Sequence, residues 1–382
     1  MAEQVDATQL PVPDLVVDAL LGIGVNTPLS PLLTKIVATI NELAAPVLAV
    51  DLPSGLNGDT GRVMGARVLA TRTLTFIGIK QGLLTGEGVD CVGQLDCDPL
   101  GVTPDGAMLP AAWRIDYPLL QEHLTPRQPS SHKGANGKVL LVGGDCGMQG
   151  AIVLAARACL RAGAGLVRVC QHPDHPPVSL YQAELMSLTE ADARGSECWA
   201  KVRVIGPGLG QHEWGQAQWV RYLTDRLPLV LDADGLNWLA LSPRHQDNWV
   251  LTPHPGEAAR LLGCTIADIE TDRFAAVQAL QRRYGGVVLL KGAGTLIYDG
   301  KQIALCCEGN PGMASGSMGD LLSGIIAGLL AQGWSATMAT WLGAVIHGEA
   351  ADLAASDGER GMLASDLLPL IRKLVNPDTI TS

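Results

Sequence analysis

Strand-length aliphatic runs, each closed by a glycine, aspartate or proline turn, alternate with helical stretches, and that alternation constrains the fold more than any other feature of the chain. Val139–Val142, Leu166–Val169, Val202–Ile205, Leu229–Leu231, Val287–Leu290 and Leu296–Tyr298 read as strands. Helices are predicted at Gly150–Ala162, Gly256–Leu262, Arg273–Arg283, Gly319–Ala331, Ala336–Ala354 and Ser365–Val375. Strands that are apolar throughout belong in a parallel sheet buried on both faces. The expected class is α/β: a mostly parallel sheet with helices on both faces. A shorter series precedes it, with a strand at Leu15–Leu20, a helix at Pro31–Leu43, and strands at Val47–Val50, near Val68 and at Arg72–Ile77. These elements make residues 1–105 a partial Rossmann-like α/β segment, too meagre for a self-sufficient doubly wound domain. Residues 96–130 hold six prolines and little periodicity, so a linker is expected, placed at 106–117, with the main domain at 118–382.

Composition narrows the partners. Lys and Arg number 27 against 38 Asp and Glu, a formal charge of −11, so neither nucleic acid nor an anionic membrane is expected as a partner. The 45 glycines follow no period, which places them in turns and ligand loops. Nine cysteines occur without a CxxC, consistent with reduced thiols in a cytoplasmic protein. The first residues lack the apolar stretch of a signal peptide, and Ile325–Ala331 is too short to span a bilayer.

The strongest motif is the run from Gly309 to Asp320, Gly-Asn-Pro-Gly-Met-Ala-Ser-Gly-Ser-Met-Gly-Asp, which leads into a helix. A small-residue turn opening a helix presents free N–H groups to an anion, with the positive end of the helix dipole behind them. Asp320 beside such a site makes sense as a base on an attacking hydroxyl, although an N-capping aspartate is the plainer alternative. Other turns follow strands: Gly206–Gly210, Asp232–Asn237, Thr252–Glu257 and Lys291–Thr295. In an open parallel sheet such turns line one crevice at the carboxyl ends of the strands.

In this order the turns resemble the ADP- or ATP-dependent NAD(P)H-hydrate dehydratases, a branch of the ribokinase-like superfamily. The opening Ser131-His132-Lys133-Gly134 and Gly137-Lys138-Val139 through Gly144 resemble that family's first loop and strand. The front segment is similar to the back half of the NAD(P)H-hydrate epimerases, through Val17-Asp18-Ala19 to Gly24 and Val50-Asp51-Leu52-Pro53-Ser54 to Gly61. The resemblance implies restoration of NADH or NADPH from the form hydrated at C6 of the nicotinamide, by phosphorylation of the 6-hydroxyl and loss of phosphate. It implies Asp320 as catalytic base, with Lys291, Gly292, Ala293, Gly294, Thr295 and Gly319 on the nucleotide. Ala151, Gly208, His254 and Asp320 fall on substrate positions, as does Asp51 in the front segment, where Asp18 and Ser54 match potassium ligands. Magnesium is expected with the phosphoryl transfer, and a homo-oligomer is expected. The epimerase family's Asn-Asn-Gly-Gly-Asp loop has no counterpart in this sequence, so epimerase activity is expected to be lost or impaired.

Two other readings stand beside this one: a ribokinase-like small-molecule kinase, of the thiazole or hydroxymethylpyrimidine kind, and a non-catalytic nucleotide-binding module. Asn310-Pro311-Gly312-Met313-Ala314 together with Thr252–Glu257 favours the dehydratase over the kinase. The intact Asp320 loop counts against the module.

Overall fold

The computed structural model describes residues 13–103, 109–188, 199–223 and 227–377. The chain divides into two compact units, one formed by residues 1–112 with 270–274 and 292–294, the other by the remainder.

The first unit holds a four-stranded parallel sheet in the order β1 (Val16–Asp18), β2 (Val47–Val50), β3 (Arg72–Phe76), β4 (Gln94–Asp98). Helix α1 (Pro31–Glu42) starts where the Ser30 hydroxyl accepts from the Leu33 N–H and a proline fills the first turn. It buries Val37 against Val47 and Val68. Val68 is not in a strand: its N–H donates to the Ser54 carbonyl and that of Ala70 to the Cys91 carbonyl, so the segment is a loop that buries Val68. Strand β4 went unread because its residues are mostly polar and exposed. At the β1 edge Leu15, Val17, Leu20 and Ile23 are exposed, Ile23 to 65%.

The second unit is built on a ten-stranded sheet in the order β5 (Trp113–Ile115), β14 (Ile303–Cys306), β13 (Thr295–Tyr298), β12 (Val287–Leu290), β11 (Trp249–Leu251), β10 (Leu229–Leu231), β9 (Val202–Ile205), β6 (Lys138–Val142), β7 (Leu166–Cys170), β8 (Met186–Ser187). Every neighbouring pair is parallel except β12–β13 and β13–β14. The proline-rich stretch read as a linker therefore contains a strand, β5, and the short helix α2 (Tyr117–Leu120). Leu140, Val142, Leu231 and Leu251 are as buried as Val139, Leu141, Val230 and Val250, so both faces of the sheet are covered.

Helices α3 (Gln149–Arg161), α9 (Met318–Ala331), α10 (Ala336–Ala354) and α11 (Ala364–Leu374) share the main core with one face. Further helices are α4 (Glu213–Tyr222), α5 (Asp234–Leu241), α6 (Pro255–Leu262), α7 (Ile266–Thr271) and α8 (Arg273–Tyr284). Helix α9 is apolar on all sides and almost wholly buried, as a core helix must be. A methyl group at Gly324 would lie 2.1 Å from the Ala155 carbonyl oxygen, so only glycine lets α3 and α9 approach this closely. Among the described residues, no helix is long and apolar enough to cross a membrane.

Candidate active site

Strands β9, β10, β11 and β12 run parallel, so the turns at their carboxyl ends open on the same edge of the sheet. From β10 comes Asp232, from β11 Thr252 to Glu257, and from β12 Lys291. The Lys291 ammonium donates to Asp232 Oδ1 at 2.8 Å and lies 3.9 Å from Glu257 Oε2. The Thr252 hydroxyl donates to the same Asp232 oxygen at 2.9 Å. Burial disfavours the Lys291 charge, but Asp232, Glu257 and Asp320 outweigh it and hold the ammonium above its ordinary value.

Asp320 stands in the first turn of α9, where the loop from β14 enters the helix. Burial, reinforced by the Asp232 charge, pushes its carboxyl up to about 6, against the opposing pull of the Ser317 hydroxyl and Lys291. A carboxyl poised near neutrality accepts a proton far better than an ordinary aspartate. Ser317 takes a left-handed backbone, φ +68°, immediately before α9, and Ala233 does so, φ +45°, before α5. Non-glycine residues held there are strained, and such strain concentrates at functional sites. Gly319 belongs to the same corner, since a methyl group there would lie 3.0 Å from the Lys291 nitrogen.

His254 caps α6. Its Nδ1 accepts from the Gly256 N–H at 2.9 Å, and the His254 main-chain N–H donates to Glu257 Oε2 at 2.8 Å, a reciprocal capping box. With Nδ1 occupied as an acceptor, the neutral ring carries its proton on Nε2, which sits 3.4 Å from Glu257 Oε1. Burial, then Lys291 and Arg260, lower the His254 pKa, so the ring favours this neutral form. Glu257 is pushed above the usual carboxylate range, chiefly by burial.

Ala151 and Gly208 come together on the adjoining turns: a methyl group on Gly208 would lie 3.3 Å from Ala151 Cβ. Thr295 opens β13 in the same unit as Lys291. Gly292, Ala293 and Gly294 group instead with the first unit, where the Thr85 hydroxyl donates to the Gly294 carbonyl at 3.0 Å and the Gly86 N–H to that of Ala293. The front-segment positions form their own arrangement. Asp18 is buried; its Oδ2 accepts from the Ser54 N–H at 2.7 Å and its Oδ1 from the Ser54 hydroxyl at 2.6 Å. Asp51, at φ +71°, pairs with Lys80 and accepts from the Thr75 hydroxyl. Burial raises the Asp51 carboxyl, but Lys80, Thr75 and the Phe76 N–H outweigh it and hold it low.

Asp232 and Glu257 were quoted within their turns but not picked out as site residues, because their partnership with Lys291 spans three strands. His347 on α10 was also missed; it is 6% exposed, and burial with the Lys291 charge pushes its pKa down to about 4. The carboxylates of Asp232, Glu257 and Asp320 surround an ammonium rather than a preformed metal cage. That donor set fits magnesium, which binds through one or two carboxylates plus the phosphates of a nucleotide.

The fold and these turns define a ribokinase-like α/β protein. A ribokinase-like superfamily protein from Enterococcus faecalis superposes with a TM-score of 0.63 at 28% identity, covering 72% of this chain and 98% of that one. The profile described as NAD(P)H-hydrate dehydratase matches residues 139–373, and the chain belongs to that family. A second profile, the YjeF-related protein N-terminus, matches residues 2–82. The bifunctional NAD(P)H-hydrate repair enzyme of Vibrio cholerae is 48% identical over 370 residues, 95% of this chain and 75% of that protein. The ADP/ATP-dependent NAD(P)H-hydrate dehydratase of Bacillus subtilis, co-crystallised with ATP and Mg2+, is 27% identical with a TM-score of 0.58, covering 66% of this chain and 95% of that one.

Proposed function

We propose that the second unit dehydrates the S epimer of hydrated NADH or NADPH at the expense of ADP or ATP. The observation that carries this reading is Asp320, half-buried at the opening of α9 with its pKa raised to about 6, beside the Lys291–Asp232 pair. Hydroxide is a poor leaving group and phosphate a good one, so the 6-hydroxyl is first phosphorylated. The Asp320 carboxylate takes the hydroxyl proton as that oxygen attacks the terminal phosphoryl group. Backbone N–H groups of the loop 315–319 face the negative oxygens of the transferring group. The C6–O bond then breaks, phosphate leaves with the bond electrons, and loss of a proton from the neighbouring ring carbon restores the double bond. Lys291, Thr295 and Gly319 serve the nucleotide. Ala151, Gly208 and His254 serve the dinucleotide, His254 as an Nε2–H donor. When bound, magnesium neutralises charge on the phosphates; Asp232 and Glu257 are the carboxylates placed to share it.

For the first unit we propose one wall of an epimerase site, in which the Asp18 carboxylate, the Ser54 hydroxyl and the Leu21 carbonyl would hold potassium and Asp51 would meet the substrate. The Ser54 hydroxyl lies 3.4 Å from the Leu21 carbonyl, so the three oxygens are neighbours. The deciding assay is nucleotide-dependent recovery of NADH from its hydrate. A kinase would phosphorylate an alcohol without restoring the absorbance of the reduced nicotinamide, and a non-catalytic module would consume no nucleotide.

A further inference from the structure

We infer that the loop after β6 carries a binding site for a borderline divalent cation of the zinc class, formed by Asp145, Cys146 and His172. One ligand atom from each of the three side chains lies within 4.8 Å of the others. The Cys146 sulfur is 3.7 Å from His172 Nδ1. Zinc–sulfur and zinc–nitrogen bonds of about 2.3 and 2.0 Å at a tetrahedral angle set those two atoms about 3.5 Å apart. The pair therefore already has the spacing of two ligands on one ion.

The third member supplies an independent sign. Asp145 is 3% exposed, and its Oδ2 is buried without a hydrogen-bond partner. A carboxylate oxygen left dry and unpaired is costly, whereas a bound cation would satisfy it. Its other oxygen is fixed by the Cys146 N–H at 2.8 Å, and its main-chain N–H donates to the Gly208 carbonyl, so the loop is held in place before any ion arrives. Cys146 is exposed, which gives the ion a path in. Thiolate, imidazole and carboxylate together suit zinc or its neighbours and not magnesium, which demands oxygen ligands.

Groups around the triad fit the same role. His172 Nδ1 accepts a long 3.3 Å bond from the Asp174 N–H, which an ion on that nitrogen would displace, and Asp174 Oδ2 lies 3.7 Å away, a carboxylate placed to favour a cation nearby. The Trp214 ring meets His172 edge-on at 5.5 Å and fixes its plane. His175 is tied through Nε2 to the Asp145 carbonyl at 3.0 Å. On binding, the Cys146 thiol releases its proton to solvent, a metal–sulfur bond forms, and nothing is oxidised or reduced.

The test is titration of the reduced full-length chain with Co2+, read by absorbance. The expected result is a thiolate-to-cobalt charge-transfer band in the near ultraviolet with tetrahedral bands in the visible, saturating at one equivalent and abolished by Zn2+. Cys146→Ser should remove the charge-transfer band, and His172→Ala should weaken cobalt binding by more than roughly tenfold. Changing the other exposed cysteines among the described residues, Cys97→Ser with Cys264→Ser, should leave both bands intact. Absence of the band in the parent protein, or its persistence in Cys146→Ser, would overturn the assignment. Magnesium-dependent turnover is not the readout, so the result is independent of the dehydratase reading.

Discussion

Lys291 reaches across the strand β11 to bind Asp232, placing its ammonium 2.8 Å from a carboxylate whose side chain is only 1% exposed. Removing one partner of such a pair strands the other charge in the interior. Lys291→Met should therefore cost on the order of 3 kcal/mol of stability. Adding Asp232→Asn should return part of that loss. Denaturant melts of the two single variants and the double variant measure the coupling. Costs that add within about 0.5 kcal/mol would show the two groups to be independent.

Asp320→Asn should separate activity from stability. Loss of a general base lowers turnover by about 10²–10⁴-fold. The stability change has the opposite sign. The folded-state pKa of Asp320 is raised from 3.8 to about 6, so the stabilisation from its protonated form is complete below the lower value and lost as pH rises through the upper one. At pH 7.5 the half-buried carboxylate is a burden, and the neutral amide should raise Tm. Parent turnover should fall as pH drops through about 6, while the Tm advantage of Asp320→Asn disappears towards pH 4. An unchanged pH profile together with turnover within a few-fold of the parent would remove Asp320 from the base role.

His254 and Thr295 follow different strands and should serve different ligands. His254→Ala should raise the half-saturating concentration of the hydrated dinucleotide, and Thr295→Val that of ADP. His254→Asn, which keeps a donor, should be milder than His254→Ala. Initial rates with each ligand varied in turn give the answer, and equal shifts for both ligands in both variants would defeat the assignment.

Residues 13–103 should not epimerise by themselves. Asp18, Ser54 and Asp51 are held by their partners, but these residues include no Asn-Asn-Gly-Gly-Asp loop to hold the dinucleotide phosphates. Supplied with the R epimer alone, the chain should recover NADH no faster than spontaneous epimerisation allows. Acceleration proportional to enzyme concentration would show a working site.

Legibility of the site followed the range of the interactions that build it. Asp320 and the turn around His254 could be read directly, because a small-residue loop opening a helix and a proline-flanked cap are local patterns. Asp232 and Glu257 could not, since what distinguishes them is a shared ammonium brought from the end of β12. The strand cores of β10 and β12 were legible from unbroken aliphatic runs, and β9 from a run broken only by Arg203. Strand β4 was hidden by its polar, exposed residues, and β5 by the prolines around it, because its place is fixed by pairing with β14 and not by its own propensity. Near Val68 the reverse happened: a buried valine suggested a strand, but its N–H is satisfied by the Ser54 carbonyl in a loop.

The pairing of Trp113 with Ala304 sets a schedule for folding on the ribosome. Strand β5 emerges early and has no partner until β14 has been made, nearly half the chain later. At about 5–20 residues per second, that is an interval of roughly ten to forty seconds. Throughout it Ile115, 1% exposed in the finished protein, has no place in the core. Loop closure over such a distance is slow compared with helix formation. Closing this edge of the ten-stranded sheet is therefore a late event of synthesis, and a chain arrested before residue 303 would present β5 to chaperones or to other nascent chains.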